Sequence, residues 1–227
     1  MSETVKRRRY ISTLRAEQAA ATRTRILDSA RALFVELGYP ATTLSQVASA
    51  AGVAADTVLH IFGSKKGLLA AVLDVTIGGD EDDVAVLDRD LPQAMRRETD
   101  QRRQLAMFAR GIADQLDRIR PIDEILRSAA AVDAEARALR DDLQLRQRRE
   151  AMTQVVIWIF ANGNLKNQMN VKEATDIVWT LTSPEVHRLL REHCGWTAER
   201  YQAWLHDAME SALLVTRKSQ VPRAARP

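Results

Sequence analysis

Three residues at a suggestive spacing open the question of chemistry. Ala48, Gly52 and Val58 put a small residue where two helices would touch, a glycine in the turn, and a β-branched residue on the inner face of the second helix. These are the steric needs of a helix-turn-helix. In that motif the second helix lies in the major groove of DNA with its N-terminal residues at base edges, and the first crosses the backbone. As a bare pattern it is moderately selective, because many helical hairpins satisfy three loose positions.

Other chemistry has little support. No GxxxxGK[ST] loop, GxGxxG, HExxH or GxSxG occurs, so nucleotide chemistry and the common hydrolases lose their main signatures. His193 and Cys194, near Glu192 and His187, invite a metal or nucleophile reading. Adjacent helical positions point about 100° apart, and no CxxC or HxxxH spacing completes a ligand set. A surface helix end is the ordinary account. No catalytic residue, metal site or cofactor is expected.

The elements that must position the motif read as helical nearly throughout, with no alternating strand pattern, so the expected class is all-α. Ile26, Leu27, Ala30, Leu33, Phe34 and Leu37 mark a helix over roughly 20–37, stopped by Gly38. Thr43 with Gln46 forms a capping-box signature ahead of Leu44, Val47, Ala48 and Ala51. After Gly52, residues 54–62 carry Val58, Ile61 and Phe62 on one face. Ser64 caps a fourth helix from Lys65 to about Ile77. Gly78, Gly79 and the acidic run 80–83 begin a loop that reaches Pro92. Further helices are expected at about 92–118, 121–132, 134–161, 171–181, 184–193 and 197–217.

Composition is that of an ordinary globular protein, at 46% hydrophobic and 28% charged over 227 residues. Its longest apolar run, Val155 to Ala161, has seven residues, where a membrane span needs about 20. The stretch after Lys6-Arg7-Arg8-Arg9 lacks the apolar core of a secretory signal. The lone Cys194 makes no internal disulfide, which fits a reducing cytoplasm. Residues 1–75 hold ten Lys/Arg against six acids, a net of +4 on a chain whose whole net charge is +3. A basic head on a near-neutral body suits a polyanion-binding domain attached to a regulatory or assembly domain.

A longer string sharpens this. Gly38-Tyr39-Pro40-Ala41-Thr42-Thr43-Leu44, then Val47-Ala48, Ala51-Gly52-Val53, Thr57, Phe62-Gly63-Ser64-Lys65-Lys66 and Leu68-Leu69 closely resembles the N-terminal domain of tetracycline-repressor-type (TetR) transcription regulators. The resemblance is continuous over roughly residues 22–75. It implies a three-helix DNA-binding domain joined through a fourth helix to an all-α domain that binds small molecules and dimerises. The expected division is a basic arm at 1–21, a helix-turn-helix domain at 22–66, a helical effector-binding and dimerisation domain at 67–217, and a tail at 218–227.

Position then assigns roles. Thr43 offers its hydroxyl and nearby N–H groups to a phosphate, a role compatible with simple capping. Ala54, Ala55, Asp56 and Thr57 open the recognition helix and face bases, with Thr57 and His60 the readiest polar readers. Lys65 looks like the family's phosphate-contacting lysine, assisted by Lys66. Three residues depart from the family pattern: Ala54 where serine is common, Leu59 where a tyrosine usually meets a phosphate, and Asp56, whose carboxylate repels phosphates unless it accepts from a cytosine amino group. The arm, with Arg7, Arg8, Arg9 and Arg15, is expected to compensate. Deleting residues 1–15 should then lower the salt slope by about one unit per lost phosphate contact, and an unchanged slope in a binding titration would refute this.

The resemblance also implies an effector cavity and a dimer. On spacing, Met107, Phe108, Ile112, Trp158, Trp179, Ser183 and His187 are candidates to line a pocket for an apolar or aromatic small molecule, although such residues also serve as plain core. Tyr201, Trp204, Leu205, Ala208, Met209, Ala212 and Leu213 form an apolar stripe, and Ile177, Val178 and Leu181 belong to a second. Two such helices from each of two subunits would form a four-helix bundle, the family's usual dimer interface, though packing within one subunit takes part of each stripe. The expected function is a repressor on palindromic double-stranded DNA, released by a small-molecule effector, with no membrane partner. The alternatives are an effector-independent architectural DNA-binding protein and an all-α enzyme using the C-terminal pocket.

Overall fold

The structure, a computed structural model, describes residues 3–82 and 84–215, with side chains from Arg15 onward. Among these residues no strand occurs, and the fold is all-α. The helices are α1 (Glu3–Leu37), α2 (Leu44–Ala51), α3 (Ala55–Phe62), α4 (Lys65–Gly78), α5 (Asp90–Arg97), α6 (Gln101–Val132), α7 (Ala134–Asp141), α8 (Arg148–Phe160), α9 (Val171–Leu181), α10 (Pro184–Arg188) and α11 (Ala198–Leu213). The described residues divide into two compact units. One is drawn from residues up to 86 and from 115–145, the other from 87–114 and from 146 on. The segment 115–145, which the sequence reading assigns to the effector domain, thus packs with the N-terminal helices.

In the first unit, Ile26, Ala30 and Phe34 of α1, Val47 of α2, Val58 of α3 and Leu68 and Leu69 of α4 are buried together with Ile122, Leu126, Ala129 and Ala136. Helix α1 begins well before the expected residue 20. Residues 15–21 are exposed, but this run is rich in strong helix formers and contains no breaker, so it needs no apolar face to stay helical. Helix α6 runs through Pro121, where the sequence suggests a boundary. The missing N–H costs about 3 kcal/mol in a helix interior, but Leu116 and Ile122, buried on either side of it, hold the helix in place.

The second unit holds α5, the start of α6, and α8 to α11; α8 packs on α9, and α9 on α11. The expected helix from 92 is interrupted at 98–100. There Asp100 Oδ1 accepts from the N–H groups of Arg102 and Arg103 at 2.8 and 3.2 Å, starting α6 afresh. The turn at Asn162 and Gly163 is tied to that same start. Gln101 Nε2 donates to the carbonyls of Ile159 and Gly163 at 2.9 and 2.8 Å, and Asn162 Nδ2 to Gln104 Oε1 at 3.0 Å. Among the described residues no helix is long and apolar enough to cross a membrane.

Candidate nucleic-acid interface

The helix-turn-helix is assembled by two local devices. At the start of α2, Thr43 Oγ1 accepts from Gln46 N–H at 3.2 Å while Gln46 Oε1 accepts from Thr43 N–H at 2.8 Å, the reciprocal bonds of a capping box. At its end Gly52 adopts φ 68° and ψ 38°, a left-handed conformation that costs a side-chain-bearing residue strain. The chain reverses there, with Val53 N–H bonding to Ala48 carbonyl at 3.0 Å. Ala54 holds the N-cap position of α3 without a side-chain bond, as its methyl group requires. Asp56 in the first turn opposes the positive end of the helix dipole.

Burial then fixes which face of α3 is free. Val58 is fully buried, Thr57 and Phe62 are half-buried, and Ala54, Ala55, Asp56, Leu59, His60 and Ile61 are exposed. Asp56, Leu59 and His60 stand at i, i+3 and i+4 and so share the outward side. Of the expected base-facing residues, Ala54, Ala55, Asp56 and His60 are therefore open to a ligand, with Thr57 at the margin. Leu59, counted in the sequence as a lost phosphate contact, stands 50% exposed among them.

The lysines are held rather than free. Ser64 Oγ accepts from Gly67 N–H at 3.0 Å to start α4. Next to it, Lys65 Nζ donates to Pro40 carbonyl at 3.3 Å and lies 4.4 Å from the centroid of the Tyr39 ring. Burial lowers the Lys65 pKa, with Asp133 acting in the opposite direction. Lys66 Nζ is 3.6 Å from Glu135 Oε2. Both acids belong to the junction of α6 and α7, where Asp133 Oδ1 caps α7 by accepting from Glu135 and Ala136 N–H at 2.8 and 3.0 Å. Burial and these two carboxylates raise the Tyr39 pKa. Nothing in the local sequence of the motif points to residues 133–135; the burial of Leu126, Ala129 and Ala136 in the same core brings them there. The side chains of Arg7, Arg8 and Arg9 lie outside the described residues, as does the tail at 218–227; Arg15 is exposed on α1.

Comparisons agree with this geometry. Residues 26–72 match the model of the bacterial regulatory proteins, tetR family. The helix-turn-helix region is thus similar to that of tetR-family regulators. Over 52 residues the chain is 44% identical to the uncharacterized HTH-type transcriptional regulator YvkB of Bacillus subtilis, covering 23% of this chain and 28% of that protein. Over 58 residues it is 45% identical to the uncharacterized HTH-type transcriptional regulator TtgW of Pseudomonas putida, covering 26% of this chain and 43% of that one. The shared region thus spans less than half the length of either relative. The fold of the chain is similar to that of NalD, the secondary repressor of the MexAB-OprM multidrug efflux pump in Pseudomonas aeruginosa, with a TM-score of 0.66, 22% identity, and coverage of 87% of this chain and 97% of that one.

Outside the tetR-type domain, all seven expected effector residues fall in the second unit. Ile112 and His187 are buried, the latter edge-on to the Tyr201 ring with centroids 4.8 Å apart. Ser183 caps α10 by accepting from Val186 N–H at 3.1 Å. Trp158 and Trp179 are half-buried and flanked by guanidinium groups, that of Arg96 at 6.0 Å from Trp158 and that of Arg148 at 5.4 Å from Trp179. Met107 and Phe108 are half-buried on α6. The expected dimer stripe divides. Val178, Tyr201, Leu205 and Met209 are at most 1% exposed within their own chain and belong to its core, which corrects their assignment to a partner-facing surface. Ile177, Leu181, Trp204, Ala208 and Ala212 remain half-buried.

Proposed function

We propose that the chain is a transcriptional regulator, a repressor that binds a palindromic DNA operator as a two-fold dimer and is released by a small apolar or aromatic molecule held in the second unit. The observation that carries the reading is the outward face of α3, presented by a capped α2 and a left-handed Gly52 within a tetR-type domain. Such a helix enters the major groove, and a two-fold dimer addresses half-sites about one helical turn of DNA apart. Thr43 and the start of α2 supply phosphate contacts beside it. Ile177, Leu181, Trp204, Ala208 and Ala212 form the partner-facing part of α9 and α11. Trp158, Trp179, Met107 and Phe108 are the half-buried apolar side chains available to an effector. An effector releases DNA only through a higher affinity for the released conformation.

The test is selection of bound duplexes from a random pool by the purified protein, followed by affinity against salt for the winner. A palindromic winner with a steep salt slope is the expected result. Binding that is shallow in salt and indifferent to sequence would overturn the reading.

A further inference from the structure

Two exposed residues on α3 have side chains that are wrong for a phosphate. Asp56 repels it, and the isobutyl group of Leu59 has no donor to give it. Both nevertheless occupy the outward side of the helix, next to His60, on an element whose neighbouring Val58 is fully buried. A leucine half-exposed on so short a helix loses hydrophobic free energy unless something covers it. In the major groove only one base-edge group is apolar, the C5 methyl of thymine, and the cytosine N4 amino group is a donor suited to a carboxylate. Positions three apart on a helix are separated by about 4.5 Å along its axis, close to the ~3.4 Å between successive bases of one strand. With α3 lying along the groove, Asp56 and Leu59 are within reach of adjacent base pairs.

We propose that α3 reads a cytosine and a neighbouring thymine in each half-site, Asp56 accepting from the cytosine N4 amino group and Leu59 packing on the thymine methyl. These are specificity contacts, and they rest on the reading of α3 as a recognition helix. They reverse the meaning of the two departures from the family pattern, which become base readers rather than lost affinity.

The experiment uses the full chain and the duplex selected above. Each thymine is replaced singly by deoxyuridine, which removes the methyl group and leaves every hydrogen-bonding atom in place. At one symmetric position the wild-type protein should lose about fourfold in affinity, the equivalent of roughly 0.8 kcal/mol for one buried methyl-sized group. Leu59→Ala should bind the thymine duplex more weakly and no longer distinguish thymine from uracil there. Asp56→Asn, reselected on the random pool, should relax the preference for cytosine at the adjacent pair. Melting curves of both variants establish that they fold, as expected for exposed side chains. Failure to select any duplex would count against the DNA-binding reading. Tight sequence-specific binding that is unmoved by uracil at every thymine, or a Leu59→Ala protein that still discriminates, would overturn the thymine contact while leaving that reading intact. An unchanged cytosine preference in Asp56→Asn would overturn the carboxylate contact.

Discussion

Helices α3 and α11 look alike in sequence, each carrying an apolar stripe beside polar positions, yet they differ in how far the stripe foretells the free face. In α3 only Val58 is fully buried, and of the residues expected to meet bases Ala54, Ala55, Asp56 and His60 stand outward while Thr57 is half-buried. In α11 the stripe expected to meet a partner is split. Tyr201, Leu205, Met209 and Leu213 turn into the chain's own core, and Trp204, Ala208 and Ala212 lie on its shoulder. Helix α3 is eight residues long and its packing partners are its neighbours in sequence, so few arrangements are open to it. Helix α11 packs on α9 and on the turn at Leu189–His193, and its inner face is whichever side those elements cover.

The contrast can be broken most forcefully at Gly67. A Cβ at that position would lie 2.1 Å from the Phe62 carbonyl oxygen, so the last turn of α3 and the first of α4 could not keep their distance. Gly67→Ala is expected to cost about 3 kcal/mol or more, to lower the melting temperature and to abolish operator binding. Wild-type stability would show that the two helices separate freely and that the orientation of α3 is not set by this contact.

The division of α11 predicts the next largest effect. Leu205→Ala should destabilise the chain by about 2–5 kcal/mol, as removal of a buried leucine does. Trp204→Ala should leave chemical denaturation of the folded chain far less affected while weakening self-association in analytical ultracentrifugation. Equal losses of stability from the two would mean that the stripe is a single core after all.

A smaller effect concerns the lysines beside α3. Glu135→Gln removes the partner of Lys66 and makes its charge available to a phosphate. Exposed ion pairs are worth about 0–1 kcal/mol, so operator affinity at low salt should rise roughly two- to threefold, with a salt slope steeper by at most about one. An affinity that falls would show the pair to position the lysine for DNA instead of competing for it.

The smallest is a pH effect. Tyr39 has its pKa raised above the ordinary 10.0 by burial and by Asp133 and Glu135. Its protonated form therefore contributes stability that is whole below pH 10.0 and lost as pH rises toward the folded-state value, because the unfolded chain gives up the proton first. Melting temperatures of wild type should fall more steeply above about pH 10 than those of Tyr39→Phe. Parallel curves would place the phenol in water and outside the field of the two acids.

Much of the candidate site was legible along the chain because its determinants are local. The capping box of Thr43 and Gln46, the Gly52 turn, the inward Val58 and the Ser64 cap each act over a few residues, and all were readable from spacing. Helix ends that depend on a single side chain were harder to place. Asp100 restarts α6 where the hydrophobic pattern ran on, and Pro121 interrupts nothing because Leu116 and Ile122 are buried on either side of it. The acidic junction at Asp133 and Glu135 had no signal near the motif, since it lies far along the chain from Lys65 and Lys66.

By itself the sequence determined the all-helical class, the tetR-type motif and the caps and turn that set α3, because helical periodicity, caps and turn glycines are short-range and have few conformational solutions. The tertiary structure alone decided that Lys65 and Lys66 share their charge with the α6–α7 junction, that residues 115–145 complete the N-terminal core, and that half of the α11 stripe is interior. Those outcomes depend on which distant apolar faces cover one another, a choice made by burial across the whole unit.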